Sequence, residues 1–528
     1  MTTLHGTNCI AGERRGSDRT FAATSPLDGS ELPTRFCLAS LDDVEAAMTA
    51  AAAAADPFAH TTGEARAVFL EHIADEIMSL GDTLIERAHA ETALPAARLT
   101  GERARTVNQL KLFAAAARDG SWVDARIDRP LPDRQPLPRP DVRRMRRPLG
   151  PVVVFGSSNF PLAFSVAGGD AASALCTGNP VVVKAHRAHP GTSELVAGAI
   201  QRAVEACSLP VGTFSMLHGE GSVIGIALVK HPATQAVGFT GSRAAGRALC
   251  DAAAARPEPI PVFAEMSSLN PVFLLPGALA DGASAIAKGF VASMTLGVGQ
   301  FCTKPGLVFG VAGPLLDAFV AGVAEAIAAT PPASMLTTDI RNAFEHGRDS
   351  LGAEAGATVV ARAGFAINPS HTQAAAIVME TDAATFLARP QLAEEVFGPF
   401  SLVVKTQSAA QLEALARRLD GQLTATIHGT AEDLSTTSDL LAILATKAGR
   451  LIVNGWPTGV EVCHAMQHGG PWPATSDARF TSVGTAALER FIRPVCYQDV
   501  PQSLLPDALK DGNPLGIMRM VEGITGHH

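Results

Sequence analysis

Aromatic side chains are scarce in this chain, at 5% of 528 residues with a single Tyr, so its cores must be built from Ala, Val and Leu. Long basic runs are missing as well. The formal charge is −9, and the one Lys/Arg cluster, "RPDVRRMRRP" at 139–148, reads as a solvated ribbon or a subunit contact, so nucleic acid is not an expected partner. Apolar stretches are broken by Lys288 or Asp317 before they reach membrane-spanning length, and no membrane is expected either. "MTTLHGTNCIAGERRG" has no apolar run of the kind a secretory signal needs. The eight cysteines (Cys9, Cys37, Cys176, Cys207, Cys250, Cys302, Cys463, Cys496) form no C-x-x-C pair. Together these absences predict a cytoplasmic protein with reduced thiols and no disulfide scaffold.

What is present describes a globular protein: 47% hydrophobic and 18% charged residues, with 48 Gly and 35 Pro. A chain of 528 residues is too long for one core, so two or three domains are expected. Residues 40–118 read as helices, opening with Ser40 as a cap and Asp42 and Asp43 in the first turn. From Trp122 to Pro148, prolines interrupt every periodicity, which predicts an extended arm. Beyond it, "PVVVFG", "PVVVK", "TFSMLHG" and "AVGFTG" alternate with helical stretches, the pattern of a parallel α/β sheet whose ligands sit at the carboxyl ends of the strands. A second α/β set runs from about 266 to 455, with strands expected in "NPVFLLP", "GLVFGVAG", "ATVVARAG", "AAAIVME", "FGPFSLVVK" and "RLIVNG". The tail from about 480 reads as a short helix and an irregular strand-like segment that, with the arm, could cover the sheet edge of another subunit.

Of the cysteines, Cys302 stands apart. A lone cytosolic cysteine is usually inert and buried, but "GVGQFCTKPG" surrounds this one with Gly297, Gly299 and Pro305-Gly306, a low-bulk turn where backbone N–H groups can face a reacting oxygen. "GQFCT" resembles the nucleophile motif of the aldehyde dehydrogenase superfamily. "SSNFPL" (157–162), "VVVKAHRAHP" (181–190), "FTGSRAAG" (239–246), "AEMSSLNP" (264–271) and "EEVFGP" (394–399) match that family in the right order.

The resemblance implies an α/β fold with two Rossmann-like parallel-sheet domains and a small oligomerisation arm. Residues 1–121 and 149–265 would form the dinucleotide-binding domain, 266–479 the catalytic domain, and 122–148 with 480–528 the arm and tail. It implies oxidation of a small-molecule aldehyde to an acid, with Cys302 as nucleophile, Asn159 as oxyanion donor and Glu265 as the base for deacylation, its carboxyl raised by apolar neighbours. A thiol ordinarily titrates at about 8.5, so local dipoles would have to favour the Cys302 thiolate. Glu265 favours hydrolysis, because relatives that pass the acyl group to coenzyme A lack this base. Lys184 would bind the adenosine ribose, and Gly241 and Ser242, opening a helix, would meet the pyrophosphate. Glu395 and Phe397 would hold the nicotinamide half. Many NAD-specific members carry a Glu three residues beyond the lysine; here Arg187 stands there, which favours NADP, with NAD still possible. Phe160, Gln300 and Thr303 would touch substrate. A homodimer or homotetramer is expected.

The chain also departs from the family pattern. Ser158 precedes the motif Asn where most members have an aromatic residue, and Ser267-Ser268 follows the base in place of Gly-Gly. "HAMQHGGPWPATSDARFTSVG" (464–484) replaces a common C-terminal element. With these features the chain resembles the branch acting on 2-oxoglutaric semialdehyde; a related branch takes long-chain fatty aldehydes with NADP. An oxo-acid substrate needs a basic clamp, for which Arg490, Arg493 and Lys304 are the candidates. His464 and His468 are four apart, but the Gly-Gly-Pro that follows reads as a loop, and no metal site is expected.

Overall fold

A computed structural model describes residues 4–353, 356–368 and 371–528. Met1–Thr3, at the head of the N-terminal stretch, lie outside the described residues.

"VVVF" and "VVVK" are β-branched and buried on both faces, as strands sandwiched between helix layers must be. They pair side by side in a seven-stranded sheet ordered Val262–Glu265, Ala236–Thr240, Val152–Phe155, Val181–Lys184, Phe214–Leu217, Asn8–Ile10, Glu13–Arg15. The first five run parallel, and the two N-terminal strands close the edge antiparallel. Those two short strands, one of them the partly exposed "ERR", carry too little pattern to be read from sequence. The expected helices pack here: Leu41–Ala59 begins in a capping box, with Ser40 Oγ accepting from Asp43 N (3.1 Å) and Asp43 Oδ2 accepting from Ser40 N (2.8 Å). Gly63–Ser79 and Ala96–Asp119 bury Phe69, Leu70, Ile73 and Phe113 in the core shared with the sheet.

The second seven-stranded sheet is ordered Thr358–Arg362, Ile377–Asp382, Phe400–Thr406, Leu307–Val311, Val272–Leu274, Gln422–His428, Ala448–Val453, parallel except for its first strand. Gln422–His428 is fully buried yet absent from the strands expected on sequence, because its alternating threonines look like a polar surface. Inside, Thr424 Oγ1 donates to Asn270 Oδ1 (3.0 Å), and Gln422 Oε1 accepts from Leu269 N (2.8 Å) and Asn270 N (3.1 Å).

The arm and tail form a third, five-stranded sheet: Ile492–Gln498, Val142–Pro148, Arg126–Asp128, Arg519–Val521, Ile524–Gly526. The tail departs from expectation at its start, since Ala487, Leu488 and Phe491 are buried in the core of the first sheet. Among the described residues no helix is long and apolar enough to cross a membrane.

Candidate active site

Four strands of the first sheet end on one rim. Phe155 leads into "SSNFPL", Lys184 closes its strand, Thr240 leads to Gly241, and Glu265 closes the edge strand beside Thr240. The loop carrying Cys302 comes from the second sheet.

That loop is the low-bulk turn the sequence suggests, and tighter than glycine alone would require. Gly297, Val298 and Gly299 have φ of 56°, 59° and 67°. A β-branched residue in the left-handed region costs about 1–2 kcal/mol, so the surroundings must hold it there. A Cβ on Gly299 would lie 2.3 Å from the carbonyl oxygen of Gly398, so only glycine allows the turn to meet the "EEVFGP" segment. The Asn270 amide donates to Cys302 O (2.8 Å) and Lys304 O (2.9 Å). Gln300 braces the same turn, its Nε2 donating to Gly297 O (3.0 Å) and its Oε1 accepting from Leu336 N (3.0 Å). Its amide thus serves the turn, whatever it offers to substrate. Thr303 Oγ1 is buried next to the thiol position without a hydrogen-bond partner.

The replaced segment at 464–484 supplies a partner that sequence reasoning weighed only for metal. His468 is buried, and its Nε2 lies 3.0 Å from Glu265 Oε1 and 3.5 Å from Cys302 Sγ. Ser482 Oγ donates to Glu265 Oε2 at 2.5 Å. Two bonds set this loop: His468 N donates to Thr481 Oγ1 (2.8 Å), and Ser482 N donates to His468 O (2.9 Å). His464 points elsewhere, its Nδ1 3.2 Å from Thr485 Oγ1 at the surface. Donor atoms of Glu265, Cys302 and His468 all lie within 4.8 Å of one another.

Two pKa expectations change. Burial pushes the Glu265 carboxyl up, but His468, Ser482 and Cys302 together outweigh it, and the group lies below its ordinary value. The Cys302 thiol goes the other way: burial first, then the Glu265 charge, push it well above its ordinary value. Before any ligand arrives the sulfur is therefore a thiol, and no local dipole has made it a thiolate.

Asn159 Nδ2 donates to Gln300 O (2.9 Å), which fastens the "SSNFPL" loop to the Cys302 loop and leaves the second amide N–H for a reacting oxygen. Phe160, Phe164 and Phe301 form a collar there, with Phe160 edge-on to Phe164 (5.4 Å) and Phe301 (5.2 Å). Val460, Val462 and Met466 pack against it. Arg98 and Arg105, on the helix Ala96–Asp119, lie over these rings, and neither was singled out in the sequence.

The expected carboxylate clamps are already engaged by the fold or stand apart from the sulfur. Arg490 is buried in a pair with Asp170 (2.6 Å), Lys304 Nζ donates to Val396 O (2.9 Å) and Phe400 O (2.8 Å), and Arg493 lies exposed on a strand paired with Arg147. Each is held by the fold's own acceptors or stands on the third sheet, and Arg490 also lines a small cavity with Glu265, His468 and Ser482.

On the cofactor side, burial and the neighbouring Arg187 charge pull Lys184 down to about 8, and no carboxylate offsets them. Arg187 itself is exposed and lies over the ring of Phe21 (5.8 Å). Gly241 and Ser242 open the exposed first turn of Arg243–Ala254, where Ser242 Oγ accepts from Ala245 N (3.3 Å). Glu395, raised by burial against the pull of Lys304, Ser267 and Ser268, stands behind Cys302 with Phe397 half-buried beside it. Gly219 and Gly225 are packing glycines, since a Cβ on either would strike Ile224 or Phe155.

A buried sulfur, a buried carboxylate and a side-chain amide thus meet at the rim of a parallel sheet, the set a covalent oxidoreductase needs. Residues 14–472 match the aldehyde dehydrogenase family, and the chain belongs to it. It is 55% identical over 521 residues to alpha-ketoglutaric semialdehyde dehydrogenase 2 of Azospirillum brasilense, covering 98% of each chain. It is 47% identical over 526 residues to alpha-ketoglutaric semialdehyde dehydrogenase of Acinetobacter baylyi, covering 99% of each. Its fold is similar to that of betaine aldehyde dehydrogenase from Staphylococcus aureus crystallised with NAD+, at a TM-score of 0.81 and 19% identity over 94% of this chain and 95% of that one.

Proposed function

We propose that the protein oxidises 2-oxoglutaric semialdehyde to 2-oxoglutarate, with NADP as the favoured hydride acceptor. The observation that carries the chemistry is the contact set Cys302–His468–Glu265, in which one imidazole nitrogen touches both the sulfur and the carboxylate. The substrate follows from the two relatives named above, which span nearly the whole chain.

Because the thiol is held protonated, the first task of the site is to remove its proton. With Nε2–H facing Glu265 Oε1, His468 is placed as a relay: it hands that proton to Glu265, which releases it to solvent, and takes the thiol proton in its place. The sulfur then adds to the aldehyde carbon, and the new oxyanion is met by the free N–H of Asn159. A bound nicotinamide would accept the hydride from that carbon. Glu265 next takes a proton from water, whose oxygen attacks the thioester, and Cys302 leaves as the thiolate.

Lys184 and Arg187 present a buried and an exposed cation side by side with no acid paired to either among the described residues, which fits a ribose 2′-phosphate. Gly241 and Ser242 would meet the pyrophosphate, and Glu395 and Phe397 the nicotinamide half. We assign cofactor binding to 1–121 with 149–265 and the nucleophile to 266–479. The arm and tail, whose outer strand Ile492–Gln498 has a free edge in its sheet, would assemble a homodimer or homotetramer. All eight cysteines are free, in keeping with a cytoplasmic enzyme.

Initial rates test this reading. The expected result is a larger kcat/KM for 2-oxoglutaric semialdehyde than for decanal, a larger kcat/KM with NADP than with NAD, and no acceleration by coenzyme A. A preference for decanal would overturn the substrate.

A further inference from the structure

On the helix Ala96–Asp119, Arg98, Glu102 and Arg105 fall at i, i+4 and i+7, on one face turned toward the Asn159 loop. Two of the three hold the backbone of that loop. Arg98 Nη2 donates to Asn159 O (2.7 Å), while its guanidinium lies over Phe160 (5.1 Å) and Phe301 (5.0 Å). Glu102 Oε1 accepts from Leu162 N (2.8 Å) and Ala163 N (3.0 Å).

Arg105 differs. Its guanidinium lies over Phe160 (5.7 Å) and Phe164 (5.3 Å), but Nε and Nη2, the two donors of its side-on edge, are buried without a hydrogen-bond partner. Leaving buried charged donors unsatisfied is unfavourable, and an incoming carboxylate would relieve it with two parallel bonds. The charges that act on this guanidinium are those of Cys302, Glu102, Glu265 and Glu461, so it stands close to the nucleophile. In 2-oxoglutaric semialdehyde only three carbons separate the aldehyde from the carboxylate. Whatever binds the carboxylate must therefore stand near the sulfur that attacks the aldehyde.

We propose that Arg105 is the specificity-determining residue that binds the carboxylate of the 2-oxo-acid end through its Nε–Nη2 edge, and that Arg98 is a positioning residue for the collar and Asn159. The inference rests on the substrate reading above. It explains how an apolar collar accepts an anion: the rings of Phe160 and Phe164 cover the guanidinium and leave its edge without a partner.

The test compares the unaltered protein with R105Q and R105K on 2-oxoglutaric semialdehyde and on pentanal, a neutral aldehyde of equal length. For R105Q, kcat/KM on the semialdehyde should fall on the order of 100-fold, chiefly through KM, and at least about tenfold more than kcat/KM on pentanal, which loses only the effect of the Arg105 charge on the thiol. R105K, which keeps the charge without the two-donor edge, should fall between, and it carries the same comparison if R105Q does not fold. With pentanal as substrate, competitive inhibition by 2-oxoglutarate should weaken at least about tenfold in R105Q. Equal losses on both aldehydes, or undiminished inhibition by 2-oxoglutarate, would overturn the role of Arg105 while leaving the substrate reading intact. A preference for pentanal in the unaltered protein would instead sink that reading, and this inference with it.

Discussion

His468 Nε2 sits 3.0 Å from Glu265 Oε1, with both side chains buried. This contact, with Ser482 on the other carboxylate oxygen, keeps Glu265 below its ordinary value in a place where burial alone would raise it. The carboxylate is thereby held charged, and its charge keeps the Cys302 thiol protonated. The imidazole between them is the route by which the thiol proton can leave.

Replacing His468 with Asn should lower kcat/KM on the order of 100-fold, the usual contribution of a positioned acid–base group. Without the imidazole, burial dominates at Glu265 and its pKa rises. The acid limb of the pH–rate profile should therefore move to higher pH. A profile that shifts down, or a rate loss below about threefold, would contradict the contact's role.

Glu265→Gln removes the charge that, after burial, raises the thiol most. The pH midpoint for alkylation of Cys302 by iodoacetamide should fall in this variant. Steady-state turnover should fall by about 100-fold or more, because the water that cleaves the thioester has lost its base, while a rapid burst of reduced cofactor persists. Alkylation kinetics and stopped-flow absorbance measure the two effects separately.

Lys184 loses its proton near pH 8 in the free protein, so the cation that would meet a 2′-phosphate is present below that pH and lost above it. The KM for NADP should climb as pH rises through about 8, and Lys184→Met should flatten that dependence. Arg187→Glu should cut kcat/KM with NADP about tenfold or more while leaving NAD little changed, because a carboxylate there repels the phosphate.

Asn270 holds the Cys302 loop through two carbonyls and sits at φ 49°. Asn270→Ala leaves buried acceptors unpaired, at about 1–3 kcal/mol each, in a conformation alanine adopts poorly. The urea midpoint of unfolding should drop, with activity falling further than stability alone explains. Asn270→Gly, free of the backbone strain, should recover part of the midpoint but not the rate.

Much of this protein is written locally. Runs such as "VVVF" and "VVVK" specify buried parallel strands by their own branching, Ser40 and Asp43 specify a helix start, and the glycines around Cys302 specify a turn that only they can make. These features, with six ordered motifs, point to Cys302, Glu265 and Asn159 as candidates for the chemistry. The sequence could not show that Gln422–His428 is a core strand, because Thr424 meets its partner Asn270 only once packed. Nor could it show that His468, 166 residues beyond Cys302, and Arg105, almost 200 before it, converge on one sulfur. Such meetings depend on how loops 464–484 and 157–162 are folded against a helix and a sheet edge. The ionisation of each group then follows from burial and from neighbours that have no fixed spacing along the chain. Local pattern therefore determined which residues could do the chemistry, and tertiary packing decided their protonation and their partners.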